Sequence, residues 1–272
     1  MRNRILSFAL ISTALALPLG LLTGGPALAV KKTPYPQVNV DLAERFQPDE
    51  AFKAMRAAFA DAVTKKNAQA LFTIVGSSFV WTANGALSAD FNPGGSPLDN
   101  FKAVFGFRAP GAAADGGVDN GPFWDDLNAF AADNTFYKDA NVGNLVCGPM
   151  LAEASDEDAF EEVGKKVDTP DEPTTWYFTL AETTVTASRD PKAAAVGKVG
   201  TVALPLLSVF PAQEGDAPRP PTYLEVLLPS GRSGWIPVSA ARPMVSNRLC
   251  YAKTSAGKWV IVLFDEAGEA GD

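Results

Sequence analysis

Tyr223-Leu224-Glu225-Val226, followed by Pro229-Ser230-Gly231-Arg232-Ser233-Gly234-Trp235-Ile236, is the stretch whose reading decides the fold. Two short apolar runs flank a turn built from Pro, Ser and Gly, which is the signature of two strands about a tight reversal. Outward from it, runs at 176–180, 183–187, 200–210, 248–254 and 258–265 repeat the pattern, each short and set off by turn residues. Such spacing predicts a small barrel or sandwich. Ser255-Ala256-Gly257 joins the last two runs into a hairpin.

Upstream the periodicity is helical. Pro48-Asp49-Glu50 opens a helix over 49–66, with Phe52, Met55, Phe59, Ala62 and Val63 at helical spacing. Asp49 and Glu50 in its first turn and Lys65 and Lys66 in its last suit the helix dipole. A short helix over 68–72 and a strand at 78–82 follow, ended by Asn84-Gly85. Further helices are expected over 97–106, after Gly121-Pro122, and from Ser155-Asp156-Glu157-Asp158 to 163, while 134–150 reads as irregular. Trp81, Phe101, Phe123 and Trp124 are the expected core of this region. The prediction is an α+β chain. It has an extended leader over 30–46, a mostly helical unit over 47–165 and a linker over 166–173 containing a proline-rich acidic stretch. A β unit over 174–265 with a terminal hairpin and a tail over 266–272 complete it.

The first residues bound the compartment. Arg2 and Arg4, an apolar run from Ile5 broken by Pro18 and Gly20, and small residues at Ala27 and Ala29 describe a secretory signal over 1–29. The uninterrupted apolar run falls short of the ~20 residues a spanning helix needs, so no membrane anchor is expected after cleavage. No cysteine stands near the cleavage point to carry a lipid, and Arg2 and Arg4 are not adjacent, as a twin-arginine signal requires. The expected location is periplasmic or secreted.

The formal net charge of the 272 residues is −8, and removing 1–29 takes away two arginines and no acid, which makes it −10. Such a surface repels phosphate backbones and anionic bilayers, so nucleic acid is not an expected partner. An apolar content of 47% suffices for a core, and 23 glycines and 21 prolines predict many turns. Cys147 and Cys250 are the two cysteines. In an oxidising compartment they form a disulfide or remain two buried thiols; a bridge would close a loop of roughly 100 residues, worth up to ~4–5 kcal/mol.

The β region resembles a bacterial SH3 (SH3b) domain. Thr183-Thr184-Val185-Thr186-Ala187-Ser188-Arg189-Asp190-Pro191 is similar to the opening of that family, and Ala195-Val196-Gly197-Lys198-Val199 to the strand after it. The stretch from Tyr223 to Ile236 resembles its close, where Gly231 and Gly234 permit the tight turn and Trp235 covers the barrel end. Two departures are visible: Ser188-Arg189 is shifted from the usual arginine, and 211–221 is a long acidic and proline-rich insertion. With Leu145-Val146-Cys147-Gly148-Pro149 and the hairpin at Leu249-Cys250-Tyr251, the chain resembles exported proteobacterial proteins that pair a helical region with such a barrel. That resemblance implies the Cys147–Cys250 bridge, which would staple the two units together. SH3b modules bind wall peptides or proteins, which implies a non-catalytic role with a cell-wall peptide or an envelope protein as partner. Tyr223, Arg232 and Trp235 are the candidate peptide-binding residues, against the alternative that Tyr223 and Trp235 only close the barrel.

No catalytic residue, cofactor or metal site is read from the chain. It has no histidine, so Ser-His-Asp and Cys-His sites are impossible and zinc peptidase sites are excluded in practice. Paired carboxylates need no imidazole, and Asp125-Asp126, Glu153, Asp156 to Asp158 and Glu161-Glu162 are the acids available for a hydrolase. Each sits at a helix start or on a polar face, where capping and solvation explain it. Ser255-Ala256-Gly257-Lys258 has Ser-x-x-Lys spacing but lies in a hairpin turn. Residues 115–121 are acidic but lack the EF-hand pattern. A second functional reading is a small-molecule pocket of NTF2-like kind, since helix 49–66 leads into Phe79-Val80-Trp81. Its test is an aromatic-lined cavity.

Overall fold

The structure, a computed structural model, describes residues 33–83, 85–107, 123–143, 145–167, 175–190, 192–211 and 221–267. The expected signal 1–29, the acidic loop 115–121, residues 168–173 of the linker, residues 212–220 of the insertion and residues 268–272 of the tail lie outside them.

The fold is α+β. The leader contains β1 (Val38–Leu42), and the helical region opens with α1 (Glu50–Thr64) and α2 (Ala68–Phe72). Asp49 caps α1 by accepting the Phe52 N–H at 2.7 Å, and Asn67 caps α2 by accepting that of Ala70 at 3.1 Å. Each satisfies an amide that the first turn leaves without a partner. Then come β2 (Val75–Ala83), β3 (Ala86–Leu87), α3 (Pro97–Val104) and α4 (Trp124–Ala132). The stretch 134–150, expected to be irregular, holds β4 (Tyr137–Asp139) and β5 (Leu145–Gly148), followed by β6 (Ala152–Ala154) and α5 (Glu157–Val167). Three or four residues are too few to show a strand's alternation in sequence. The C-terminal run comprises β7 (Trp176–Thr179), β8 (Thr183–Thr186), β9 (Ala195–Val199), β10 (Val202–Phe210), β11 (Tyr223–Leu227), β12 (Ser233–Pro237), β13 (Ala241–Pro243), β14 (Arg248–Lys253) and β15 (Trp259–Glu266).

Two sheets organise these strands. One has the order β3-β2-β15-β14-β5-β4; the other runs β13-β7-β10-β11-β12-β8-β9, with β1 joined to both β10 and β6. The terminal hairpin, expected with the β unit, belongs to the first sheet: β15 lies parallel to β2 with Phe264 beside Trp81, and β14 pairs β5 with Cys250 opposite Cys147. Its sequence explains the placement. Leu249, Tyr251, Ile261 and Phe264 join the cluster under the helices, with Phe52, Phe59 and Phe101, while Cys250, Val262 and Leu263 join a second cluster with Trp176, Phe178 and Leu227. A hairpin apolar on both faces is stable only as the centre of a covered sheet. The layers are therefore helices, first sheet, second sheet, and a third cluster inside the second sheet holds Val185, Leu204, Leu224, Val226 and Ile236.

Cys147 and Cys250 have sulfurs 2.03 Å apart. Both belong to one sheet, so the bridge cross-links neighbouring strands and does not staple two units, as the sequence reading supposed. The connection between the sheets is made by the shared cluster and by the segment after β1, where Arg45 bridges Tyr137 of β4, while the partly buried pair of Arg242 on β13 with Asp133 after α4, at 2.6 Å, ties the second sheet to the helical layer. Within the first sheet Arg248 donates to Asp139 at 2.5 Å, to Asp265, and to the Tyr137 hydroxyl at 2.9 Å. Burial works against the Asp265 carboxylate, but hydrogen bonds from Thr82 and Arg248 outweigh it and hold its pKa below the usual range. Of the four expected core aromatics, Phe101 is fully buried and Trp81 and Trp124 pack against the core, but Phe123 is 44% exposed. It precedes the first turn of α4, outside the stripe formed by Leu127 and Phe130.

Candidate functional site

The turn between β11 and β12 depends on two glycines. Gly231 has φ +75°, the left-handed region that a side chain disfavours. Gly234 lies under β8: a Cβ there would meet Val185 Cγ1 at 2.6 Å and the Thr186 carbonyl oxygen at 2.9 Å. This close approach lets β12 pair with β8 through Trp235 and Thr186.

The alternation of β11 and β12 then sorts the side chains. Leu224, Val226 and Ile236 are fully buried inside, while Tyr223, Glu225 and Trp235 are half-buried on the outer face. Register lines the outer residues into two rows: Ser208, Glu225, Trp235 and Thr186 in one, Phe210, Tyr223 and Pro237 in the next. Ser208 donates to Glu225 at 3.0 Å, and Phe210 is 42% exposed. Arg189 reaches this face from the turn after β8, which Thr186 steadies by donating to the Ser188 carbonyl at 2.7 Å. Its guanidinium carbon lies 3.5 Å from the Phe210 ring centre and 5.3 Å from that of Trp235, within range of cation–π attraction to both.

Of the three residues proposed from sequence, Tyr223 and Trp235 thus share one accessible surface and are not sealed inside. Arg232 is exposed but donates to the Val196 carbonyl at 2.9 Å, and among the described residues it touches no ring. The cation on the aromatic face is Arg189, which sequence reasoning noted only as displaced. Phe210 was missed altogether. Its one signal was its place at the border of the insertion, where the β10 strand pattern stops.

The acids assemble differently. Asp156 caps α5 by accepting the Ala159 N–H at 2.9 Å, and Glu161 and Glu162 lie 3.6 and 3.7 Å from Lys165 and Lys166 one turn on. Glu153 on β6 and Glu157 and Glu161 on α5 line one cleft of 520 Å³ with Phe160, Trp176 and Met244. All three carboxyls are exposed. Asp125 and Asp126 lie in the first turn of α4, where loss of water and the neighbouring Asp125 raise the Asp126 pKa. Among the described residues no group of His, Cys, Asp or Glu is arranged to hold a metal ion. Ser255 lies in the hairpin turn closed by the Thr254 N–H on the Lys258 carbonyl at 2.8 Å. Between α1 and the first sheet, where a pocket was the alternative, Phe52 meets Phe136 at 4.9 Å, Trp259 at 5.1 Å and Tyr251 at 5.4 Å, all edge to face. Rings packed this closely fill the space around Phe52.

No protein-family model, curated protein or solved structure matches the chain.

Proposed function

We propose that this is an exported, non-catalytic binding protein whose SH3b-like β unit engages a cell-wall peptide or a peptide segment of an envelope protein. The observation that carries the reading is the outer face of β10–β12, where Phe210, Tyr223 and Trp235 present ring surface beside Arg189 and Glu225. Extended peptides dock on such faces because rings give contact area at little entropic cost while charged neighbours fix direction. The hydrophobic core does not require these rings, since Leu224, Val226 and Ile236 already fill the interior on the opposite side of the same strands. Export is supported by the pattern of residues 1–29 and by a Cys147–Cys250 pair at bonding distance, which persists in oxidising compartments. Among the described residues no helix is long and apolar enough to cross a membrane.

The test is co-sedimentation of the purified chain lacking 1–29 with insoluble peptidoglycan, and capture of envelope proteins on the immobilised chain. Trp235→Ala and Tyr223→Ala should each weaken retention at least about tenfold, the scale of an aromatic hot spot. Retention unchanged in both variants, or absent in the parent chain, refutes the reading.

A further inference from the structure

Arg189 is exposed, and among the described residues it has no acid partner and no hydrogen-bonded carbonyl. The contrast with four other arginines is chemical. Arg56 donates to the Tyr251 hydroxyl and three carbonyls at the C-terminal end of α4 (Phe130, Ala131 and Asp133), Arg232 to Val196, Arg242 to Asp133, and Arg248 to Asp139 and Asp265. Each uses its N–H groups on protein oxygen. Among the described residues Arg189 is engaged through its flat face, on Phe210 and Trp235. A guanidinium held by its face keeps its in-plane N–H fork free, and that fork matches a carboxylate with two parallel hydrogen bonds. The chain carries a formal net charge of −8, yet among the described residues no acid forms an ion pair with Arg189.

We propose that Arg189 makes the aromatic face selective for a peptide carrying a free carboxylate, held at the Arg189 end while the rings take the adjoining residues. The inference rests on the binding reading above and commits it to wall peptides as the source. Glu225 refines it. Directly opposite Trp235 and tied to Ser208, it repels a second acid further along the face. One terminal carboxylate fits this pattern and an acidic run does not. Long-range repulsion from the negative surface is screened beyond ~8 Å at physiological salt, so the local contact sets the preference.

The experiment uses the soluble peptides of an enzymatic wall digest and the same pool with its carboxyls converted to amides. Both are passed over the immobilised chain lacking 1–29. The parent chain should retain the acidic pool at least about tenfold more strongly than the amidated one, the scale of a charge-assisted hydrogen bond. Arg189→Gln should abolish this ratio, Arg189→Lys should restore part of it, and Glu225→Gln should raise retention of peptides with two carboxyls. A merely structural role of Arg189 would lower retention of both pools together and leave the ratio intact. Equal retention of both pools by the parent chain overturns the carboxylate selectivity and leaves peptide binding standing. Retention of neither pool overturns both.

Discussion

Replacing Cys147 and Cys250 together by Ala removes a bond between residues 103 apart in sequence, each fully buried, in adjacent strands. In the chain-entropy model a loop of this length is worth about 4.7 kcal/mol, because the bridge restricts the unfolded chain far more than the folded one. The folded state loses little direct pairing, since β5 and β14 remain hydrogen-bonded on both sides of the pair through Gly148–Leu249 and Val146–Tyr251. Two shortened side chains in a sealed core leave a small void that adds to the cost. With a urea dependence of about 2 kcal/mol per molar, the unfolding midpoint should fall by about 2 M. Equilibrium urea unfolding followed by tryptophan fluorescence and by circular dichroism measures it. The cluster shared between the sheets couples them, so the two signals should move together. A midpoint within about 0.5 M of the parent, or loss of only one signal, refutes the assignment of the bridge to the centre of a shared core.

Four further outcomes follow from named contacts. Gly234→Ala drives a methyl against Val185 and the backbone of Thr186 and should cost about 1–3 kcal/mol in the same urea assay; a neutral result contradicts the close approach of β12 to β8. Asp133→Ala leaves the partly buried Arg242 without its carboxylate and should destabilise by about 1–3 kcal/mol, whereas breaking the exposed pair of Lys198 and Glu182 should have little effect. The Asp265 pKa is lower folded than unfolded, so its contribution is complete above about pH 4 and is lost as pH falls towards the folded value; Asp265→Asn should flatten acid unfolding in that window. Burial pushes the Tyr137 and Tyr251 hydroxyls up to about 12, so both stabilise the fold below about pH 10, and that stability should disappear as pH rises from there through 12, read by alkaline unfolding of Tyr137→Phe and Tyr251→Phe.

The local chemistry of the chain was sufficient for much of this. Asp49, Asn67, Ser96 and Asp156 accept first-turn amides at the starts of their helices, and capping of this kind acts over three residues and needs no partner from elsewhere. The apolar stripe Phe52, Met55, Phe59, Ala62 and Val63 is buried as its spacing predicts, and the turn glycines fall where the strands reverse. The α+β class was legible for the same reason, since it follows from residue type and spacing along each segment, whereas the Cys147–Cys250 pairing was implied by the resemblance alone.

Which strands became neighbours was decided only in three dimensions. The hairpin of β14 and β15 has two apolar faces, a property visible in sequence, but its place between β2 and β5 depends on edges contributed by segments more than a hundred residues away. The site shares that dependence. Arg189, Phe210 and Trp235 come from three separate stretches, and only the register of β10, β11, β12 and β8 brings a ring from one beneath the cation of another, while Arg232, nearer in sequence to Trp235, turns to a carbonyl on β9. Residue type and spacing act along the chain, whereas strand register is a competition among distant partners that packing resolves; the helices were therefore readable from the residues, while of the aromatic face only Tyr223 and Trp235 were.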